Sequence, residues 1–260
     1  MLATAQYMKD RQMEDQDKVV IITGATSWMS RATAVKLLEQ NYKVVLCGRS
    51  FDKVDGVVDS LTSPGRVFAG VADVTDAASI QAIFQKTLDN HGRIDAVINV
   101  AGGVATQALP RKQPIDKNFI DTSIEEFDAT INLNFYGVVN TTRIVLPHMI
   151  ERKQGNIINI VSNLANTGFP KFSAYASSKA AVISFSKSLA KEVGGDNVRI
   201  NCIIPGPTKS RYKPTGTSKS GNVAVLGPTS PHDVADAVSF LISNQAKHIT
   251  GTVLDISGGQ

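Results

Sequence analysis

Cysteine is scarce in this chain. Only Cys47 and Cys202 occur, both inside apolar runs and without a CxxC or other metal spacing. A disulfide framework or a cysteine-bound metal has no support, and the pair points to buried free thiols, consistent with a reducing compartment. Long apolar runs are missing too. None approaches the roughly 18 residues of a membrane span, and the first 18 residues lack the apolar stretch of a secretory signal. Charge of one sign is not in excess, with 27 basic against 23 acidic residues for a net +4. No dense basic block or aromatic–basic array suggests a nucleic-acid partner. These absences lead to the expectation of a soluble, cytoplasmic protein with neither a membrane nor a nucleic acid as partner. At 42% hydrophobic and 19% charged residues, the chain can bury a sizeable core, so wholesale disorder is excluded.

What is present is alternation. Residues 1–17 carry charges of both signs with no apolar period and read as a flexible tail. Beyond them, short β-branched runs predict strands at Val19–Thr23, Val44–Cys47, Val67–Val71, Ala96–Val100, Ile157–Val161, Arg199–Ile204 and Val253–Ile256. Helical stretches lie between. Residues 76–90 place Ile80, Ile83, Phe84 and Leu88 on one face, and Gly92 ends the pattern. Residues 52–61 do the same with Val54, Val57, Val58 and Leu61. Strands apolar throughout suit a parallel sheet covered on both faces. Strand–helix alternation then predicts an α/β fold, a single doubly wound parallel sheet in one Rossmann-like domain over residues 18–260. Within it, residues 206–230 are rich in proline and glycine and carry Lys209, Arg211, Lys213 and Lys219. Such a segment after a strand end reads as a substrate lid, the alternative being a surface loop, and its cations as a solvated face.

Polar residues gather at the strand ends. The first strand runs into Thr23-Gly24-Ala25-Thr26-Ser27-Trp28-Met29-Ser30, with a helix expected from about Arg31. A strand–turn–helix there can hold the phosphates of a dinucleotide against helix N–H groups. The second strand ends in Gly48-Arg49 where an acidic residue would bind a ribose 2′-hydroxyl. Gly48 leaves room instead, and Arg49 offers a planar fork for a 2′-phosphate. Asp73 follows the third strand and Asn99-Val100-Ala101-Gly102 the fourth. A short polar residue at such a place touches an adenine or caps a helix. Ser162 follows the fifth strand, and Tyr175 and Lys179 share a helix face one turn apart. An ammonium beside a phenol favours phenolate, so Lys179 is expected to lower the tyrosine pKa and suit Tyr175 to general acid/base work on a carbonyl/alcohol pair.

In order and spacing these pieces resemble the short-chain dehydrogenase/reductase family over roughly residues 18–260. They are Thr23-Gly24, Asp73-Val74, Asn99-Val100-Ala101-Gly102, Asn134, Ser162, Tyr175-Ala176-Ser177-Ser178-Lys179, Pro205-Gly206 and Ile249-Thr250-Gly251. The resemblance implies a dinucleotide-dependent oxidoreductase of a small carbonyl or alcohol substrate, and Gly48-Arg49 adds the expectation of NADPH in preference to NADH. It implies that Tyr175 transfers the proton, Lys179 tunes it and holds the nicotinamide ribose, and Ser162 holds the substrate oxygen. Asn134 would anchor a proton-relaying water, and Pro205, Gly206 and Thr208 would face the nicotinamide. Gly24, Thr26, Ser27, Trp28, Met29, Arg49, Asp73, Val74, Asn99, Ala101 and Gly102 would complete the cofactor site, with no metal. A homotetramer pairing long helices near 123–150 and 174–193 is also implied.

Two departures stand out, the smaller being Val100 in place of the family's usual second asparagine. The family pattern TGxxxGxG has Trp28 and Ser30 at its last two glycines. Ser30 could cap the helix or donate to a phosphate. If Trp28 had to adopt positive φ, the strain would be about 1–3 kcal/mol, or roughly 5- to 150-fold in cofactor affinity. Three outcomes are open: NADPH bound in a rearranged turn with Trp28 stacked beside it, weakened binding with catalysis retained, or a non-catalytic, regulatory scaffold. A polyol or sugar alcohol dehydrogenase is a further alternative. Residues 103–122 look longer than usual, and either line the substrate cleft or form a surface loop.

Overall fold

A computed structural model of the chain describes residues 17–61, 63, 65–103, 118–206 and 224–259. Apart from Asp17, the expected N-terminal tail lies outside the described residues, as do Thr208 and most of the expected lid and insertion.

Among the described residues seven strands make one sheet: β1 (Val19–Thr23), β2 (Lys43–Gly48), β3 (Val67–Val71), β4 (Ala96–Asn99), β5 (Gly155–Ile160), β6 (Val198–Pro205) and β7 (Val253–Ile256). Their order is β3-β2-β1-β4-β5-β6-β7, every pairing parallel. The order reverses between β1 and β4, and a crevice opens at such a switch point, beyond the carboxyl ends of the strands. All seven expected strands are present with ends shifted by at most two residues.

Alternate residues of each strand go to opposite faces, which explains why the strands are apolar throughout. Val20, Ile22, Val44 and Leu46 pack with Leu37 of α1 (Trp28–Glu39), Val54 of α2 (Phe51–Asp59) and Val234, Val238 and Leu241 of a C-terminal helix. Val19, Ile21, Val45 and Cys47 pack instead with Ile80 and Phe84 of α3 (Ala77–His91). The same face takes Val145 and Met149 of a long helix on the β5 side. Asp76 caps α3, and Gly92 ends it in the left-handed conformation, φ 71°.

That long helix is built in three parts. A capping box between Ser123 and Glu126 starts α4 (Ile124–Ile131), a π turn covers Asn132–Tyr136, and α5 runs over Gly137–Glu151. After β5 come the short α6 (Leu164–Thr167), α7 (Ser173–Val193) and finally α8 (Pro231–Ile242). No helix among the described residues is long and apolar enough to cross a membrane.

Candidate active site

At the end of β1, Gly24 has φ +73°, and a Cβ there would stand 2.8 Å from the Ala101 nitrogen. Only glycine lets the β1 and β4 ends approach this closely. The hydroxyl of Thr23 accepts from that same Ala101 N–H at 3.2 Å. The helix begins at Trp28, three residues earlier than expected, because Ser27 is the N-cap and accepts from Met29 N at 3.2 Å. Ser30 is therefore neither cap nor phosphate donor. It is fully buried, and its hydroxyl donates to the Gly24 carbonyl at 2.8 Å, drawing α1 onto the turn. Trp28 is the first residue of the helix and does not have positive φ. The strain that its side chain could have imposed is absent.

Between the turn and the next strand ends lies a cleft of about 680 Å³. Gly24, Ala25, Thr26, Ser27 and Met29 form one wall, while Trp28, 56% exposed, stays outside it. Gly48, Arg49, Ser50 and Lys53 line the β2 end, Asp73 and Val74 the β3 end, and Ala101, Gly102 and Gly103 the β4 end. Lys53 was not singled out from the sequence. Its signal is its distance of four residues from Arg49, at the start of a helix. Asp73 does not cap α3, since Asp76 holds that place. It lines the cleft and accepts from Thr75 N at 2.9 Å and Thr75 Oγ1 at 2.7 Å.

Asn99 is a correction. Its side chain is buried in the sheet rather than turned to the cleft. Nδ2 donates to Asn159 Oδ1 at 2.8 Å, and Oδ1 accepts from Thr141 at 2.8 Å. The desolvated amide is satisfied by other buried side chains, which hold β4 to β5 and α5.

Ser162, Tyr175 and Lys179 converge beyond β5. The Ser162 hydroxyl lies close enough to the Tyr175 phenol to act on its ionisation. Lys179 is buried, and its Nζ donates to the Ile160 carbonyl at 2.8 Å and stands 5.9 Å from the Tyr175 ring centroid. Burial lowers its pKa to about 8. Tyr175 departs from expectation. Burial pushes its pKa above the ordinary value, the Ser162 hydroxyl offsetting part of this. Lys179, whose Nζ donates to a carbonyl, does not outweigh this burial. In this state the phenol keeps its proton.

Gly102 joins the two regions. A Cβ there would meet Asn134 Oδ1 at 2.6 Å and Lys179 Nζ at 3.1 Å, so glycine leaves Lys179 beside the cleft floor. Asn134 is fully buried. Its Oδ1 accepts from Gly103 N at 2.9 Å, and its Nδ2 donates to Gly103 O at 2.7 Å and Thr130 O at 2.9 Å. With both amide hydrogens used on the main chain, the side chain braces the β4 loop and has no donor left for a water. Pro205 and Gly206 stand at the β6 end outside the cleft wall, and Gly206 N donates to Thr229 Oγ1 at 3.0 Å. Among the described residues no group of His, Cys, Asp and Glu could hold a metal ion.

The cleft fits a dinucleotide. Gly24 and Gly102 keep it open where any Cβ would crowd the main chain or the lysine, cations stand at one end, and Lys179 lies at the other. Residues 18–220 match the short chain dehydrogenase family. The chain is 34% identical to the 3-oxoacyl-[acyl-carrier-protein] reductase FabG of Thermotoga maritima, over 95% of this chain and 99% of that protein. It is 33% identical to the 2,3-dihydro-2,3-dihydroxybenzoate dehydrogenase of Bacillus subtilis, over 94% of this chain and 96% of that one. The crystal structure of 3-ketoacyl-(acyl-carrier-protein) reductase from Brucella melitensis complexed with NADH superposes with a TM-score of 0.83 at 28% identity, covering 94% and 98% of the two chains. The chain thus belongs to the short-chain dehydrogenase/reductase family, as an NAD(P)-dependent oxidoreductase of carbonyl and alcohol groups.

Proposed function

We propose that this protein is an NADPH-dependent reductase of a ketone or aldehyde, working reversibly, with Tyr175 as proton donor. The observation that carries the reading is the convergence of Ser162, a buried Tyr175 phenol and Lys179 near the far end of a cleft whose near end carries Arg49 and Lys53. Among the described residues that line the β2 end, Gly48, Arg49, Ser50 and Lys53, there are two cations and no carboxylate, Asp73 lying at the β3 end, which favours a ribose 2′-phosphate over a 2′-hydroxyl.

When bound, the cofactor supplies the hydride that goes to the carbonyl carbon. The Tyr175 O–H transfers its proton to the carbonyl oxygen, and the Ser162 hydroxyl donates a hydrogen bond to that oxygen as negative charge develops on it. A phenol held above its ordinary pKa stays protonated across the neutral range, as a reductive proton donor must. Lys179, with a pKa of about 8, is poised to return a proton to Tyr175 near neutral pH. Asn134 acts as a positioning residue that holds Gly103. The surviving constellation and the unstrained Trp28 backbone favour an active enzyme over a non-catalytic scaffold. A homotetramer through the long helices and a single domain over 18–260 belong to the same proposal.

Calorimetric titration with NADPH and NADH tests the cofactor, and Tyr175→Phe tests the chemistry. NADPH is expected to bind at least about tenfold tighter, a difference of about 1.4 kcal/mol, with Arg49→Gln plus Lys53→Gln removing the preference. Equal affinities in the wild type would overturn the NADPH assignment. Carbonyl reduction surviving in Tyr175→Phe would overturn the role of the phenol. Light scattering at monomer mass would exclude the tetramer.

A further inference from the structure

The loop between β5 and α7 carries a feature that neither the cofactor nor the proton transfer uses. Phe169-Pro170-Lys171-Phe172 closes with Phe172 N donating to Phe169 O at 3.1 Å. Proline presets φ at the second position, and Lys171 at the third has φ 71°, the pattern of a type II turn. Such a turn sets its first and fourth residues side by side. Here both are phenylalanine, with ring centroids 5.6 Å apart and planes at 71°. Phe172 then meets Tyr175 three residues on, at 6.4 Å and 76°. Three rings thus run edge to face from the surface to the reacting phenol. Phe169, the outer ring, is 44% exposed.

The chain from Ser162 to Tyr175 contains no carboxylate and a single charged residue, Lys171. Against the rings of Phe169 and Phe172 themselves a polyhydroxylated substrate would lose water with no polar atom of the rings to replace its hydrogen bonds. An aromatic substituent would gain another offset or edge-to-face partner. We propose that Phe169 and Phe172 are specificity-determining residues, and that the substrate carries an aryl group beside its carbonyl, seated against this ladder. The inference rests on the carbonyl-reductase reading above.

Its test uses the full chain with NADPH and three carbonyl probes: acetophenone, erythrulose and an acetoacetyl thioester. Acetophenone is expected to give the highest kcat/KM, at least about tenfold above erythrulose. Phe169→Ala should lower kcat/KM for acetophenone about three- to tenfold without a matching loss for erythrulose, which the ring disfavours. Calorimetric binding of 1-phenylethanol to the cofactor-loaded protein should weaken to a similar degree in the variant. Preference for erythrulose or the thioester, or equal losses on all three probes in Phe169→Ala, would overturn the aryl assignment. So would failure of 1-phenylethanol to bind when NADPH does. Failure of NADPH to bind at all would instead remove the underlying reading. Because Phe169 lies on the surface, the variant is expected to fold, and matching circular dichroism melts check it.

Discussion

Asn134 grips Gly103 by both of its main-chain polar groups, accepting from its N–H at 2.9 Å and donating to its carbonyl at 2.7 Å. The π turn at Asn132–Tyr136 places this fully buried amide under the end of β4, where Gly102 and Gly103 border the cofactor cleft. Asn134→Ala would leave the Gly103 N–H and two carbonyls short of partners. A loss of about 2–4 kcal/mol in urea unfolding is expected, together with weaker NADPH binding by calorimetry. Unchanged cofactor affinity in a folded variant would show that the brace does not shape the cleft.

Trp28 gives the second prediction. Because it enters α1 with helical rather than positive φ, restoring the family's glycine relieves no strain. Trp28→Gly is expected to leave the melting temperature unchanged or lower it slightly, glycine costing about 0.5–1 kcal/mol in a helix. NADPH affinity should move by no more than about threefold. A stability gain near 1–3 kcal/mol would mean that tryptophan strains the turn after all.

For Asn99 the expected effect is on the fold and not on cofactor binding. Asn99→Ala breaks its bonds to Asn159 and Thr141 inside the sheet. Denaturant unfolding should show a loss of about 2–4 kcal/mol, since buried partners are left unsatisfied. Calorimetric affinity for NADPH should stay within about threefold of wild type; a much larger fall would return Asn99 to the cofactor site.

The buried ammonium of Lys179 sets a pH dependence. Its pKa is lowered from 10.5 to about 8 by desolvation. Below pH 8 both folded and unfolded chains hold the proton, and the folded chain bears the full cost of burying the charge. Between about pH 8 and 10.5 the unfolded chain binds more protons, so this residue's contribution to stability rises with pH. Lys179→Met is therefore expected to be more stable than wild type at pH 7, by on the order of a few kcal/mol less the lost Ile160 hydrogen bond. The difference should shrink toward pH 10.5. Denaturation of both proteins at pH 7, 8.5 and 10 reads it, and a gap that widens with pH would contradict the assignment.

The sheet was legible because a strand covered on both faces must be apolar at every position, and that leaves a continuous run in the sequence. All seven such runs became strands, and Gly92 marked the end of α3 as local rules require, while its cap proved to be Asp76 and not Asp73. Ser162, Tyr175 and Lys179 were visible as residue types at fixed spacing. What their surroundings do to them was not. Desolvation depends on atoms supplied by distant segments, and so does the carbonyl that receives Lys179. Only the assembled fold set Tyr175 above its ordinary pKa and tied Lys179 to Ile160. The same division explains the other corrections. Ser27 and Ser30 are equal candidates for a cap by type, and the inward turn of α1 gave the cap to Ser27 and buried Ser30. Asn99 sits at a strand end in sequence, yet its side chain serves the neighbouring strand and helix rather than the cleft. Local periodicity and turn chemistry determined the elements, and residue spacing with the family resemblance supplied the candidates for the reaction. Tertiary packing alone decided which polar groups face the cleft and which are spent holding it, because burial and long-range hydrogen bonds are properties of neighbours the chain brings together only on folding.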